Sequence, residues 1–421
     1  MSVTPALPFP AVSVPRNIKF RHLKPQKLFV IRSSSSQSPS MDTPQPKKVA
    51  VCGGGVIGVC TAYFLSKKGA AVTLIEQSSV ACAASGKAGG FLALDWCDGG
   101  PLASLARASF NLHRSLAEEL DGPHSYGYRP LTTLSVSVTE SSSASSSSSS
   151  NQTGAVPSWV NGPAKSPRTI GSTNSTAQVH PQLFTKRLLT KAMEEYGVEL
   201  VIGKAERVEM VEGKTKVIVL EDGREIVADA VVLALGPWTK RFSLLGSLFG
   251  VYGIKAHSIV LEPKEPNRIT PHALFLTYYP AHGGKPMDPE VYPRPTGEVY
   301  ICGMSAREEV PDDPEQVTPV PESINVLKRV AASVSSHLVE GEAAVTAEQA
   351  CILPCSEDDV PIIGEVPGIK GCYVATGHSC WGILNGPATG AAMAELVLDG
   401  QANIVDLSQF TPARFASVLK K

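Results

Sequence analysis

The fold of this 421-residue chain is decided by the stretch Lys47-Lys48-Val49-Ala50-Val51-Cys52-Gly53-Gly54-Gly55-Val56-Ile57-Gly58. Its apolar residues before the glycines predict a short buried strand, and Val56 to Lys68 predict a helix that ends at Gly69. The next apolar run, Ala71 to Ile75, predicts a second strand, which ends at Glu76. A strand, a helix and a strand within about 30 residues form the minimal right-handed parallel crossover.

The glycines of this stretch are spaced as Gly53-x-Gly55-x-x-Gly58. They permit a tight turn and a close approach of the backbone to a pyrophosphate, while the helix N-terminus supplies free N–H groups and a positive dipole. Glu76, at the end of the next strand, can accept hydrogen bonds from ribose hydroxyls. The alternative is a glycine-rich turn in a nucleotide-free Rossmann-like domain. The predicted dinucleotide contacts are Gly53, Gly55, Val56, Ile57, Gly58, Glu76 and Gln77.

A second glycine-rich loop, Ser85-Gly86-Lys87-Ala88-Gly89-Gly90-Phe91, follows the second strand. An NAD enzyme would normally continue its alternating strands and helices at this place, so the loop favours FAD. Backbone N–H groups of such a loop can reach the inner phosphate and the flavin edge. Lys87 has a second interpretation as a solvated loop cation. The predicted contacts from this loop are Ser85, Lys87, Ala88, Gly89 and Gly90.

The rest of the chain alternates between helical spacing of apolar residues and short apolar or alternating runs. Nine of the ten residues 141–150 are serines, and we predict a disordered surface loop at 139–177. A strand-rich antiparallel region is predicted at 250–306. The predicted helices are 102–120, 182–196, 322–338 and 386–398, and the predicted strands are 198–202, 205–211, 214–220, 225–227, 229–236 and 371–377.

The predicted fold class is α/β, with a Rossmann-type FAD-binding domain interleaved with a smaller α+β substrate domain built on an antiparallel sheet. A strand that ends in glycine recurs at 371–377, where we expect the chain to return to the first domain. The predicted boundaries are 47–125, 181–250 and 346–421 for the FAD-binding domain, and 126–180 and 251–345 for the substrate domain.

Several marks along the chain can be compared with known families as a set. They are the Gly53 to Gly58 motif with Glu76, the loop Ala84 to Gly90, Val179-His180-Pro181-Gln182-Leu183, Leu235-Gly236-Pro237-Trp238, and Gly377-His378 through Gly382 to Pro387-Ala388-Thr389-Gly390. Together they resemble the D-amino-acid oxidase, glycine oxidase and sarcosine oxidase family of FAD enzymes. The resemblance covers roughly residues 47–130 and 178–400.

The resemblance implies further cofactor contacts. In that family the segment similar to residues 377–386 runs beneath the isoalloxazine ring into a helix, whose N-terminus stabilises negative charge on the flavin. His378 and Trp381 are candidates for the wall on the substrate side of the ring. A hydrogen bond within the turn is the alternative role of His378. The implied contacts are Val208, Gly236, Trp238, Gly364, Gly377, Gly382, Ile383, Leu384 and Asn385.

The reaction that the resemblance implies is transfer of a hydride from an amine-bearing carbon to flavin N5, giving an imine that water hydrolyses. The protein orients the reactants, and the cofactor carries the chemistry. O2 or another acceptor would reoxidise the flavin. A non-catalytic FAD-binding assembly or accessory protein is a second interpretation, and an NAD-dependent dehydrogenase is a third.

One position departs from the family pattern. Amino-acid-oxidising members carry Arg-Pro where this chain reads Leu353-Pro354, and that Arg clamps the substrate carboxylate. The clamp makes two charge-assisted hydrogen bonds of about 1.5–3 kcal/mol each, so glycine, sarcosine and common D-amino acids are expected to be poor substrates. Arg294 is a candidate substitute clamp, with a surface turn as its alternative role. The expected substrate is an amine, a cyclic imine or a bulkier N-substituted compound.

The nine cysteines are scattered and include no Cys-x-x-Cys pair, so neither a disulfide framework nor a zinc site is predicted. Cys351, counted back from Pro361-Ile362-Ile363-Gly364, lies where sarcosine oxidases of the family attach their flavin through a thioether. The alternative is an ordinary buried cysteine and a non-covalent cofactor.

The first 41 residues contain no Asp or Glu and six Lys or Arg residues, and they end in a serine-rich run. They are predicted to be a disordered transit peptide, and their Ser and Pro content favours a chloroplast over a mitochondrion. The rest of the chain has 32 basic and 39 acidic residues, which argues against a nucleic-acid partner. No apolar run approaches the about 20 residues that cross a bilayer. The expected partners are a small-molecule substrate and O2 or another electron acceptor.

Overall fold

The computed structural model describes residues 45–140, 156–212, 214–281 and 283–415, and the predicted transit peptide lies outside these ranges. The strands, in chain order, are β1 (Lys48–Cys52), β2 (Ala71–Glu76), β3 (Phe91–Ala93), β4 (Arg129–Pro130), β5 (Thr132–Thr139), β6 (Ala164–Gly171), β7 (Thr176–Gln178), β8 (Glu199–Ile202), β9 (Ala205–Val211), β10 (Lys214–Leu220), β11 (Glu225–Val227), β12 (Ala230–Leu233), β13 (Val251–Pro263), β14 (His272–Tyr279), β15 (Glu290–Pro293), β16 (Val299–Glu308), β17 (Ala343–Ser356), β18 (Ile362–Glu365) and β19 (Cys372–Thr376). The helices are α1 (Val56–Lys67), α2 (Ala84–Lys87), α3 (Ala103–Glu119), α4 (Gly122–Ser125), α5 (Pro181–Tyr196), α6 (Ser243–Gly246), α7 (Pro321–Val334) and α8 (Gly382–Asp399).

A six-stranded sheet with the order β18-β19-β12-β1-β2-β8 forms the first half of the molecule. Its strands are parallel except for β18, which runs antiparallel to β19. Helices α1, α3, α5 and α8 pack their apolar side chains on one face. The antiparallel sheet β11-β10-β9 covers the other face. Because both faces are covered, all four residues of β12 are buried.

The predicted crossover and fold class are confirmed. The unit β1-α1-β2 has the bounds that the glycine-rich stretch predicts, to within one residue at each end. α3 and α5 lie where helical spacing places them. None of the described helices is long and apolar enough to cross a membrane. The helix predicted at 386–398 begins earlier, at Gly382, and contains Pro387.

A seven-stranded sheet with the order β17-β13-β16-β15-β14-β5-β6 forms the second half. Its neighbouring strands are antiparallel except for β14 and β5. One face packs on α7 through residues such as Leu274, Ile301 and Leu327. The opposite face meets the second glycine-rich loop, where the Tyr300 hydroxyl donates to Lys87 O over 2.8 Å. The cofactor loops therefore lie between the two sheets.

The prediction of a disordered loop at 139–177 is wrong for its second half. The serine run itself lies outside the described residues, but β6 pairs with β5 and β7 pairs with β3 and β4. Trp159 is fully buried, and its Nε1 donates to Thr270 Oγ1 over 3.1 Å. Local composition misses these elements because their partners are remote in sequence.

The domain boundary predicted at residue 346 also differs from the strand pairing. β17 pairs with β13 from Ala343, opposite Pro263, to Ser356, opposite Val251. Residues 346–356 therefore belong to the seven-stranded sheet rather than to the FAD-binding half. An apolar strand pattern does not state which of two sheets the strand joins, so the sequence placed the boundary too early.

Candidate cofactor and substrate site

A cavity of about 500 Å³ opens at the carboxyl ends of the parallel strands. Cys52 at the end of β1, Glu76 at the end of β2, Ala234 after β12 and Thr376 at the end of β19 all line it. Open α/β sheets bind their ligands at this edge. The fold therefore sets the position of the cavity, and the loops that follow the strands supply the groups that line it.

Two of the three motif glycines, Gly53 and Gly58, are required by the close approach of the backbone. Gly53 has φ +112°, and a Cβ there would lie 2.2 Å from Ala234 O. A Cβ on Gly58 would lie 1.9 Å from Gly53 O. A Cβ on Gly55 would meet only Ser85 Oγ, at 3.2 Å, and since Gly55 lines the cavity its side chain would fill space at the start of α1. A pyrophosphate fits this glycine-lined cradle.

Glu76 is held by two backbone donors. Gly54 N donates to Oε2 over 2.6 Å, and Ser78 N donates to Oε1 over 2.9 Å. The carboxylate lines the cavity, and its remaining lone pairs can accept hydrogen bonds from ribose hydroxyls. The two glycine-rich segments are joined, because Val56 N at the start of α1 donates to Ser85 Oγ over 2.9 Å. The donor set at this end fits the adenosine and pyrophosphate part of FAD.

The turn from β19 into α8 lines the other end of the cavity with His378, Ser379 and Cys380. The His378 ring is buried, and Nε2 lies 3.0 Å from Thr389 Oγ1 of α8. Burial lowers the pKa of His378 to about 3, so the imidazole is neutral near pH 7. His378 therefore ties the turn to the helix as a neutral ring.

Leu353 and Pro354 of β17 line the cavity near this turn. Among the described wall residues the cations are Lys204 and Arg241. Lys204 Nζ lies 3.2 Å from Glu221 Oε1, and its neighbour Gly203 donates to Glu76 O. Arg241 pairs with Asp312, whose carbonyl accepts from Gln77. Both cations are thus paired with carboxylates.

Most of the predicted cofactor residues line the cavity. Trp238 does so, and its Nε1 donates to Pro311 O over 2.7 Å, which holds residues 310–314 across one side. The predicted residues in the wall are Gly53, Gly55, Val56, Ile57, Glu76, Gln77, Ser85, Ala88, Gly236, Trp238, His378, Gly382 and Ile383.

Other predicted residues lie behind the wall. Lys87 is not a solvated cation, because its Nζ donates to Ala350 O over 3.1 Å. Val208 packs toward β10 and not into the cavity. On the same strand, Ala205 and Glu206 line the cavity. Gly364 packs against Pro412, and a Cβ on Gly364 would lie 2.8 Å from Pro412 Cδ. The remaining predicted residues outside the wall are Gly58, Gly89, Gly90, Gly377, Trp381, Leu384 and Asn385.

The structure does not bring Arg294 to the cavity wall, nor is it a surface residue. It is 7% exposed. Its guanidinium lies 3.4 Å from His180 Nε2 and 3.5 Å from Glu298 Oε2, and it lies over the Tyr300 ring. Since Arg294 is not among the described wall residues, the expectation of a carboxylate clamp here finds no support in the geometry.

Cys351 is buried on β17 and is not among the wall residues of the cavity. Burial raises the pKa of its thiol to about 11, and a protonated thiol is a poor nucleophile. The geometry favours the ordinary buried cysteine. None of the described residues form a group of three or more His, Cys, Asp or Glu able to hold a metal ion.

Sequence reasoning missed several parts of the wall. Asp312 and Pro314 reach the cavity from the seven-stranded sheet, and no sequence motif marks them. Lys204 follows β8, and Glu206 lies at the start of β9. Their position after a parallel strand is the signal that was available, since loops at the carboxyl ends of parallel strands form such sites. Cys380 lies inside a quoted motif but was not singled out.

Comparison with known proteins identifies relatives over the same region. The family model described as FAD dependent oxidoreductase (DAO) matches residues 48–396, and a model of pyridine nucleotide-disulphide oxidoreductases matches residues 6–89. A putative oxidoreductase of Schizosaccharomyces pombe is 30% identical over 87% of this chain and 98% of its own length. A putative oxidoreductase of Saccharomyces cerevisiae is 28% identical over 89% of this chain and 96% of its own length.

A further relative has a solved structure. Glycine oxidase of Geobacillus kaustophilus is 26% identical in sequence over 87% of this chain and 96% of its own length. Its crystal structure superposes with a TM-score of 0.69 at 22% identity, covering 87% of this chain and 99% of that chain. The shared fold includes both sheets, since nearly the whole of the relative is covered.

Proposed function

Because the chain belongs to the DAO family of FAD-dependent oxidoreductases, we propose that it oxidises a carbon–nitrogen bond of a small amine that lacks an amino-acid carboxylate. FAD is its cofactor, and the glycine cradle with Glu76 fits the dinucleotide half of that molecule. When bound, FAD would supply the acceptor for a hydride from the carbon next to nitrogen, and with loss of a proton from that nitrogen the amine would become an imine. The similarity to glycine oxidase supports C–N chemistry.

The observation that carries the substrate proposal is the apolar wall at Leu353. This residue lines the cavity near the turn that leads into α8, and each cation of the described wall is already paired with a carboxylate. A carboxylate placed against Leu353 would lose water without gaining a hydrogen bond, which is unfavourable. An amine without a carboxylate avoids that cost.

The protein's own residues position the reaction. The start of α8 directs its N-terminal dipole at the cavity, with Gly382 and Ile383 in the wall. His378, neutral and bonded to Thr389, fixes the turn that precedes the helix. Steady-state assays of peroxide release and dye reduction, run on amines and on amino acids, test the proposal and identify the electron acceptor. Turnover confined to glycine, sarcosine or D-amino acids would refute it.

We also propose that residues 1 to about 41 direct the chain to the chloroplast. The support is compositional, namely the absence of acidic residues and the frequency of Ser and Pro. A fusion of residues 1–60 to a fluorescent protein should colocalise with chloroplast fluorescence in leaf cells. Cytosolic or mitochondrial fluorescence would refute the assignment.

A further inference from the structure

The face of the seven-stranded sheet that meets the glycine-rich loop carries the carboxylate of Glu290. Glu290 begins β15 and lies opposite Phe275 on β14 and Cys302 on β16. Tyr292 follows two residues later and so points to the same face. A Cβ on Gly89 of the loop would lie 2.5 Å from the Tyr292 ring. The carboxylate is thus set beside the loop that borders the cavity, not on the α7 side.

Glu290 has one occupied and one available oxygen. Oε2 accepts from the Tyr292 hydroxyl over 2.5 Å and from Cys302 Sγ over 3.5 Å. In the described part of the chain, no hydrogen bond to Oε1 is present. Burial raises the pKa of Glu290, and its two bonded neighbours oppose that rise. A half-buried carboxylate with an open oxygen is a strong acceptor for a cationic donor.

Aromatic side chains surround this carboxylate. The ring centroids of Phe275 and Trp96 are 4.8 Å apart, and those of Phe91 and Tyr292 are 5.7 Å apart. Phe275 contacts both Phe91 and Tyr292. Phe91, Trp96 and Phe275 keep part of their surface accessible. Aromatic faces attract ammonium groups and cover the apolar part of an amine.

The carboxylate lies next to the cavity and is not one of its described wall residues. Tyr292, which donates to Glu290 Oε2, packs against Gly89, and the neighbouring residue Ala88 lines the cavity. Glu290 therefore lies one layer of residues behind the wall, on the side of the glycine-rich loop.

We propose that Glu290 binds the positively charged nitrogen of the substrate and makes the enzyme selective for cationic amines that have no carboxylate at the recognised end. The proposal rests on the proposed function and names the substrate class of that site. Glu290 attracts an ammonium group and repels a carboxylate, while the aromatic wall covers the hydrocarbon. The same residues that bind an amine therefore exclude its amino-acid counterpart.

The experiment uses the FAD-loaded enzyme and two probes that differ by one carboxylate, N-methylbenzylamine and N-methylphenylglycine. Each is titrated anaerobically, and the flavin spectrum reports both binding and reduction. The variant is Glu290→Gln, which keeps the shape and removes the charge. Glu348→Gln is the matched control, because Glu348 lies on β17 of the same sheet in an exposed pair with Lys328.

Glu290→Gln should bind the amine at least about tenfold more weakly than the wild type, since one charge-assisted bond is worth that factor or more, and Glu348→Gln should bind it as the wild type does. The wild type should bind the amine more tightly than the amino acid, and that preference should be smaller in Glu290→Gln, where only the apolar wall at Leu353 still disfavours the carboxylate. Unchanged amine binding in Glu290→Gln, or equal or tighter binding of the amino acid by the wild type, would overturn the proposal while reduction by amines left the proposed function in place. A flavin that no amine reduces would instead refute the proposed function.

Discussion

A substitution at Gly55 should impair binding of the cofactor without preventing the chain from folding. A side chain there meets little protein but enters the cavity, whereas Gly53 and Gly58 are closed by backbone oxygens at 2.2 and 1.9 Å. We expect Gly55→Val to give folded protein with little or no flavin absorbance, because the β-branched side chain fills the pyrophosphate's space. Gly100→Val is the control, since Gly100 is exposed, its φ lies outside the left-handed region, and its Cβ would meet only Cys97 O at 3.4 Å. A Gly55→Val protein that retains full flavin absorbance would refute the assignment of this cradle.

Restoring an arginine at position 353 tests whether the missing carboxylate clamp explains the expected substrate preference. Leu353→Arg places a guanidinium on the cavity wall, and we expect the affinity for benzoate, an inert carboxylate, to rise at least about tenfold. Leu353→Met, which conserves volume and polarity, should change it little. Affinities come from perturbation of the flavin spectrum. Unchanged benzoate binding in Leu353→Arg would mean that this position does not face the substrate.

Among individual residues, the sequence predicts those whose spacing along the chain is fixed by the motif. Gly53, Gly55 and Glu76 could be assigned because a phosphate loop requires fixed spacing along the chain. Arg294 could not, since its burial beside His180 and Glu298 depends on strands more than a hundred residues from His180. Glu290 was missed because its neighbours Phe275 and Cys302 lie on other strands and meet it only in the folded sheet.

Helix α8 illustrates how one element depends on another. Pro387 lacks an N–H group, so it cannot bond to Ile383 O, and His113 Nε2 of α3 donates to that oxygen over 2.8 Å instead. Ser109, one turn earlier on α3, accepts from Ala388 N over 3.0 Å. α3 therefore supplies hydrogen-bond partners to α8 around its proline. The sequence analysis placed the start of α8 too late because these partners lie on another helix and leave no mark in the local sequence.

We expect His113→Phe to lower the free energy of unfolding by about 1–3 kcal/mol, the cost of an unsatisfied buried carbonyl. The ring would still pack on Phe184, so the loss reports mainly the hydrogen bond. Urea denaturation of the FAD-loaded protein measures it. His124→Phe is the control, because His124 is exposed and pairs only with Asp121. Equal stability of the two variants would show that the helix needs no donor from α3.

The whole molecule should be sensitive to mild acid. Burial lowers the pKa of His378 to about 3 and those of His113 and His180 to about 4, against about 6.5 in an unfolded chain. Below pH 6.5 the unfolded state therefore binds protons that the folded state does not. Stability from these groups is complete above pH 6.5 and declines as the pH falls toward 4.

The melting temperature should consequently fall between pH 7 and pH 5, above the range where most carboxylates titrate. The slope of that fall should be smaller in His113→Phe than in Ser109→Ala, which removes the neighbouring contact between α3 and α8 but keeps the histidine. Thermal scans in buffers of equal ionic strength measure both slopes. A melting temperature that does not change between pH 7 and pH 5 would contradict the burial of these rings in their neutral form.

For the whole molecule, the sequence predicts the individual elements of the Rossmann-type half. For the second half it predicts only that an antiparallel sheet is present, and not which strands belong to it. β1 and β2 are joined by a short crossover, and β12 and β19 are apolar runs that a sequence pattern marks one by one. The seven-stranded sheet joins β5 and β6 to β17, which begins more than 170 residues after β6 ends. Its membership is decided by long-range pairing, which no single segment records.

The central claim, that a bound flavin oxidises small amines at this cavity, is tested most directly by one anaerobic measurement. Purified FAD-loaded protein is mixed with a panel of primary, secondary and cyclic amines and, separately, with glycine, sarcosine and D-amino acids, and flavin absorbance is followed with time. We expect at least one amine to bleach the flavin fully, and the amino acids to do so at least tenfold more slowly or not at all. A flavin bleached rapidly by a simple amino acid and by no amine would contradict the account.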